Sequence, residues 1–154
     1  MNAYSFFRRG FNCSGVRLAA IVLLMLVWAS PAFCMSPLEK AIKSGDLEQV
    51  KALIEADPGL IKKKPLAHAA QYCKRDIAEY LISQHAEVDQ RDFLGLTPLF
   101  EAANSGCTSV AQLLLAHGAN VNAKNKGGET PLWWANQRPG NSAVADVLRL
   151  FGGK

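Results

Sequence analysis

The sequence predicts an all-α solenoid of about four helix-turn-helix repeats, preceded by a signal peptide. Three observations lead to this prediction: a repeat of 33 residues, helix-start and helix-end residues in register within it, and an apolar run near the amino terminus. The chain has 154 residues, of which 49% are hydrophobic and 19% charged. This length and composition suffice for one folded domain and exclude a disordered chain.

Residues 1–34 contain the three segments of a secretory signal peptide. Arg8, Arg9 and Arg17 give a basic start, residues 18–28 form an apolar run, and small residues surround Pro31. The apolar run has 11 residues, whereas a permanent membrane anchor needs about 20. We therefore expect a cleaved signal rather than an uncleaved inner-membrane anchor, so that only this segment contacts a membrane.

The leader leaves its processing open. Small residues at the −3 and −1 positions permit cleavage after Ala32 or after Cys34. Cleavage after Cys34 is favoured slightly. Residues 8–11 resemble a twin-arginine signal, but the apolar run is more hydrophobic than that pathway usually has. Cys34 resembles a lipoprotein cysteine, but Phe33 stands where a lipoprotein signal needs glycine or alanine. The leader fits a bacterial Sec substrate, which predicts that the folded part acts in the periplasm or outside the cell.

The basic character of the chain belongs to this leader. Residues 1–34 hold three arginines and no acid, so the remaining residues carry 14 basic and 13 acidic side chains. A nucleic-acid-binding domain needs a basic face. We therefore predict no nucleic-acid partner.

A 33-residue repeat organises the rest of the chain. Lys64-Pro65-Leu66, Thr97-Pro98-Leu99 and Thr130-Pro131-Leu132 recur at this spacing, and Ser36-Pro37-Leu38 begins an earlier copy with a shorter loop. Serine or threonine before proline is typical of a helix N-cap. Glycines follow at predicted helix ends, where a left-handed residue is favoured, but Cys73 and His85 take those positions in the second copy, which predicts strain or altered cap geometry there.

This pattern resembles the ankyrin repeat, and residues 95–125 follow that family's pattern nearly throughout. The resemblance divides residues 35–154 into repeats at approximately 36–63, 64–94, 95–127 and 128–154. The first copy keeps its helices and lacks part of its hairpin, and the fourth has an extra residue near Pro139 and stops at the end of its second helix. In the family, short hairpin-like loops and inner helices form a concave face that binds other proteins.

The resemblance implies the positions at which a partner would touch this concave face. They lie on the loops before the third and fourth repeats and at the ends of the inner helices: Phe93, Leu94, Leu96, Lys126, Glu129, Gln71, Tyr72, Asn104, Ser105, Gln137 and Arg138.

Phe93 and Leu94 are the most informative of these positions. They occupy the tip of an Asp-Phe-Leu-Gly turn, where little neighbouring chain is available to bury them. The alternative is that Phe93 folds back onto the shortened loop that contains Leu60 and Ile61. Among the tryptophans, Trp134 is expected in the core, and the position of Trp133 is open.

The sequence lacks the signatures of an enzyme. It contains no Gly-rich phosphate loop, GxSxG, HExxH or CxxC motif, and His68, His85 and His117 lack ligand spacing. The short basic run of residues 62–64 is expected to be a solvated loop. We predict no catalytic residue, no cofactor and no metal.

Two cysteines remain after cleavage at Cys34, namely Cys73 and Cys107, an even pair in an oxidising compartment. Equivalent positions in stacked repeats are about 10 Å apart, which exceeds the Cα separation of a disulfide. The two cysteines are offset by one residue within their repeats, and this offset would have to bring them together. A disulfide and two unpaired, partly buried thiols both remain open.

These observations predict a non-enzymatic protein-protein interaction module. Alternatives are an exported inhibitor or immunity-type protein that blocks one enzyme, an enzyme with an unrecognised site, and a membrane-anchored form with an uncleaved leader.

Overall fold

A computed structural model describes residues 35–154, so the predicted signal peptide lies outside the described residues. Within this range the chain forms helices and turns with no strand. The helices pair in chain order into four helix-turn-helix units: α1 Pro37–Ser44, α2 Leu47–Ala56, α3 Pro65–Gln71, α4 Arg75–Ser83, α5 Pro98–Ser105, α6 Thr108–Ala116, α7 Pro131–Asn136 and α8 Ser142–Leu150. None of these helices is long and apolar enough to cross a bilayer.

The four units stack in order, as the repeat predicts. The inner helices α1, α3, α5 and α7 contact one another in sequence, and the outer helices α4, α6 and α8 do the same. Buried alanines line the inner helices, which lets neighbouring backbones approach closely. The core between the inner and outer rows is formed by larger side chains: Ile42, Val50, Leu66, Ile77, Leu81, Leu99, Val110, Leu114, Val144 and Leu148.

Ser36, Thr97 and Thr130 all occupy the predicted N-cap positions before proline, but the capping side-chain hydrogen bond forms only in the first and fourth units. The hydroxyl of Ser36 accepts a hydrogen bond from Glu39 N at 3.1 Å, and that of Thr130 accepts one from Trp133 N at 3.3 Å. The hydroxyl of Thr97 is fully buried and makes no hydrogen bond. Lys64 also provides no side-chain cap and adopts a left-handed conformation at φ 63°.

Left-handed residues end several helices, as the glycine positions predict. Gly45 and Gly106 have φ of 83° and 75°. Cys73 and His85 adopt the same conformation without being glycine, at φ 56° and 64°. This conformation costs about 1–2 kcal/mol for a residue with a Cβ, so the strain predicted at these positions is present.

The shortened loop after the first unit is a 3₁₀ helix over Pro58–Lys63. The Asp57 carboxylate begins it by accepting a hydrogen bond from Gly59 N at 2.9 Å. Leu60 and Ile61 pack from this helix against the core. The shortened loop therefore contributes to the core at the place where a longer hairpin is missing.

Candidate protein-binding surface

The turn over Asp92–Gly95 forms the tip of the loop between the second and third units. The side chain of Phe93 is 76% exposed and that of Leu94 is 47% exposed. Phe93 therefore does not fold back onto Leu60 and Ile61. The exposure predicted for the loop tip is present, and the role of the two residues in binding stays a prediction.

Hydrogen bonds fix the backbone of this tip. One carboxylate oxygen of Asp92 accepts from Leu94 N at 2.8 Å and from Leu96 N at 2.7 Å. The Leu94 carbonyl accepts from Lys126 N of the next loop at 2.9 Å. Gly95 has φ 82°, and a Cβ there would lie 3.2 Å from Lys126 N. The tip is thus held in one conformation, and Gly95 permits its close approach to the next loop.

Leu96 is buried where a partner contact was predicted, and its role in binding stays a prediction. Its side chain is only 8% exposed and belongs to a small apolar cluster with Phe100 and Ala123, against which Trp134 packs. Leu96 lies at the base of the loop, where the third unit meets the fourth. Its side chain supports the tip from below and leaves only a small area for a partner, at the cavity described below.

Two predicted contact residues lie on the loop before the fourth unit. Lys126 is exposed. Glu129 is half-buried, and its Oε2 accepts hydrogen bonds from Asn125 Nδ2 and from Trp134 Nε1, both at 2.8 Å. These two bonds lower the pKa of the Glu129 carboxyl, so that it is ionised at neutral pH.

The remaining predicted contacts lie at the ends of the inner helices. Gln71, Ser105, Gln137 and Arg138 are exposed, whereas Tyr72 and Asn104 are half-buried. The ammonium of Lys43 lies 5.7 Å from the centre of the Tyr72 ring, within the range of a cation–π contact.

A cavity of about 140 Å³ lies between the second and third units, lined in part by His68, Asp92 and Glu101. Burial raises the pKa of the Glu101 carboxyl, Asp92 raises it further, and His68 opposes the shift. No three His, Cys, Asp or Glu side chains within residues 35–154 converge as metal ligands. Ionisable side chains therefore line this cavity, and those within residues 35–154 do not form a cluster of metal ligands.

The two tryptophans differ in their surroundings. Trp134 packs edge-on against Phe100 with ring centres 5.9 Å apart, in agreement with its predicted core position. Trp133 remains 46% exposed. Trp133, whose position the sequence left open, therefore lies at the surface of the fourth unit.

The sulfur atoms of Cys73 and Cys107 lie within disulfide-bonding distance, and their Cα atoms are 5.2 Å apart. Cys73 follows α3 after Tyr72, and Cys107 immediately precedes α6 in the next unit. The neighbouring junctions share this offset, because a Cβ at Gly45 would meet Lys74 and one at Gly106 would meet Asn141. The residue before each outer helix thus lies over the turn of the preceding unit, which supplies the approach that the disulfide needs.

The comparisons with known proteins agree with this architecture. A family model described as ankyrin repeats (3 copies) matches residues 38–125 and 66–151. A search of curated proteins found no match to the chain. Since the two matches together span most of the stacked units and include the loops and inner helices described above, the chain belongs to the ankyrin-repeat family.

Proposed function

We propose that this protein is a non-enzymatic binding module that is exported to the periplasm or beyond the cell and holds its partner on the concave face. Ankyrin repeats indicate a protein-protein interaction module. The observation that supports this face most strongly is the exposure of Phe93 and Leu94 on a hydrogen-bonded loop tip. The partner is a protein with an apolar pocket for these two side chains.

The fixed backbone of the tip favours binding for an energetic reason. Ordering a flexible loop opposes association, and a loop that is already ordered avoids that cost. A large aromatic side chain on such a loop offers apolar area with few rotatable bonds. Phe93 and Leu94 therefore form a preorganised anchor.

The proposed compartment is supported by the cysteine pair. Disulfides persist in oxidising compartments and are rare in the cytosol. The arrangement of Cys73 and Cys107 suits a protein that folds after export, in agreement with the predicted signal peptide.

The binding proposal is tested by the double substitution Phe93→Ala with Leu94→Ser. Once a partner has been identified by cross-linking in the periplasm, we expect its affinity to fall about 30-fold or more, because hot-spot residues contribute 2 kcal/mol or more. The melting temperature should stay near that of the wild type, since the tip adds little to the core. Calorimetric titration and a thermal melt measure the two quantities.

The matched control for this pair is Leu150→Ser with Phe151→Ala. These residues are also a leucine and a phenylalanine, and they are 82% and 47% exposed at the end of α8. The control should bind the partner normally. Equal loss in both variants would show general apolar adhesion, and a lower melting temperature with retained binding in the loop variant would contradict the proposed anchor.

Export is tested by Leu24→Arg in the middle of the apolar run. An arginine at the centre of such a segment costs about 2.5–3.5 kcal/mol on insertion scales. We therefore expect precursor to accumulate in the cytoplasm, as measured by immunoblotting of cell fractions. The conservative change Leu24→Ile is the control, and an unchanged periplasmic yield of the arginine variant would refute the signal peptide.

A further inference from the structure

The fourth unit carries a groove that the Phe93 and Leu94 anchor does not use, although Glu129 in its lining is one of the predicted contact residues. Trp133 lies 33 residues after Phe100 and occupies the same position on its inner helix. Phe100 is fully buried, because Trp134 and Ala123 of the following segment cover it. No unit follows Trp133 within the described residues, and its ring is half-exposed where its counterpart is covered.

On the same exposed side of the fourth unit, the surface of α8 is polar, and its side chains hydrogen-bond to one another and to α7. Arg149 lies in the position that the buried Leu115 has in the third unit. Its guanidinium donates to Asp146 at 2.8 Å and to Asn136 at 3.0 Å. A further repeat or a second copy stacked over this whole side would bury these charged groups, which is unfavourable. The exposed Trp133 therefore suits a narrow segment rather than a stacked helical unit.

The groove beside Trp133 has a volume of about 300 Å³ and is lined by Glu129, Thr130, Leu132, Asn136 and Lys154. The Glu129 carboxylate is oriented by Asn125 and Trp134, and both of their hydrogen bonds fall on Oε2. Among the described residues, no hydrogen bond uses its Oε1. The groove thus combines an exposed indole ring with an oriented carboxylate.

We propose that this groove binds a single arginine side chain presented by an extended segment of a partner protein. A planar guanidinium stacks on an indole ring and donates hydrogen bonds to a carboxylate, and a lysine ammonium matches only the second of these contacts fully. The positive charge of Lys154 in the same lining disfavours a segment with several basic side chains. This site is distinct from the Phe93 and Leu94 anchor and adds the chemistry of a second contact.

The test titrates the protein, expressed from the full sequence and labelled with ¹⁵N, with the capped peptide Gly-Gly-Arg-Gly-Gly. The matched probe replaces arginine by citrulline, which has nearly the same shape and no charge. We expect the indole N–H signal of Trp133 to shift and saturate with the arginine peptide and to stay unchanged with the citrulline peptide. Trp133→Phe assigns that signal by its disappearance.

Two variants examine the groove itself. Glu129→Gln keeps an oxygen acceptor for Asn125 and Trp134 and removes the charge, so arginine binding should weaken about fivefold or more. Trp133→Leu should weaken it similarly while keeping an apolar side chain. Phe93→Ala with Leu94→Ser should bind the arginine peptide as the wild type does.

Three results would overturn the assignment: equal shifts with arginine and citrulline, unchanged binding in Glu129→Gln, or loss of binding in the Phe93 and Leu94 variant. The last result would place the cation at the loop tip instead. Failure of the groove would leave the anchor intact, because the anchor is measured with a different ligand and different variants.

Discussion

Leu114→Ala should lower the free energy of unfolding by about 2–5 kcal/mol, because truncation of a buried leucine removes apolar burial and leaves a cavity. Leu114 lies in α6 and is fully buried. In a stacked repeat protein each unit is stabilised by its neighbours, so a cavity in the third unit also weakens its coupling to the second and fourth. Urea unfolding followed by circular dichroism measures the change against a typical total of about 5–15 kcal/mol.

Leu150→Ala is the matched control for this substitution. Leu150 is also a leucine of an outer helix, in α8, and is 82% exposed. Its truncation should change the free energy of unfolding by less than about 0.5 kcal/mol. If Leu114→Ala and Leu150→Ala had equal urea midpoints, the register assigned to the outer helices would be wrong.

The stacking of the helices could be predicted from the sequence because each repeat presents the same physical requirement at the same position. Proline near the first helical turn, alanines on one face and leucines on the other recur in phase, and each copy supports the assignment of the next. Capping was less predictable. Thr97 has the residue type of an N-cap, but tertiary packing buries its hydroxyl without a partner.

On the candidate surface, too, some features follow from neighbouring residues in the sequence and others from residues far along the chain. The exposure of Phe93 and Leu94 follows from the turn in which they lie, so local sequence predicts it. The burial of Leu96 depends on Phe100 and on Trp134, which lies 38 residues further along the chain. Leu96 is two residues from an exposed leucine, and no local pattern distinguishes the two.

The junctions between units could be predicted only in part. The sequence shows the even pair of cysteines and their one-residue offset. This offset brings the two sulfur atoms together only because the residue before each outer helix lies over the turn of the preceding unit. Lys74 over Gly45 and Asn141 over Gly106 share this geometry. Asn141 Nδ2 also donates to the carbonyl of Ala103 at 2.7 Å. The disulfide is therefore the covalent member of a repeated contact.

Removal of that disulfide by Cys73→Ala with Cys107→Ala should lower the free energy of unfolding by about 3–4 kcal/mol. The bond joins residues 34 apart, and closing a loop of this length restricts the unfolded chain by about that amount in the chain-entropy description. Alanine suits the buried Cys107 site because it leaves no unpaired polar group. Urea unfolding of the variant and of oxidised wild type measures the difference.

Reduction of the wild type gives an independent measure of the same bond. Treatment with a phosphine breaks the sulfur-sulfur bond and oxidises the phosphine, so the reduced wild type should unfold at about the urea midpoint of the double variant. The variant itself should be insensitive to the phosphine. Asn141→Ala, which weakens the next junction without a covalent bond, should cost only about 1 kcal/mol. If oxidised and reduced wild type unfolded at the same midpoint, and if intact mass showed no loss of two hydrogen atoms on oxidation, Cys73 and Cys107 would be unpaired thiols, and the strongest structural support for an oxidising compartment would be lost.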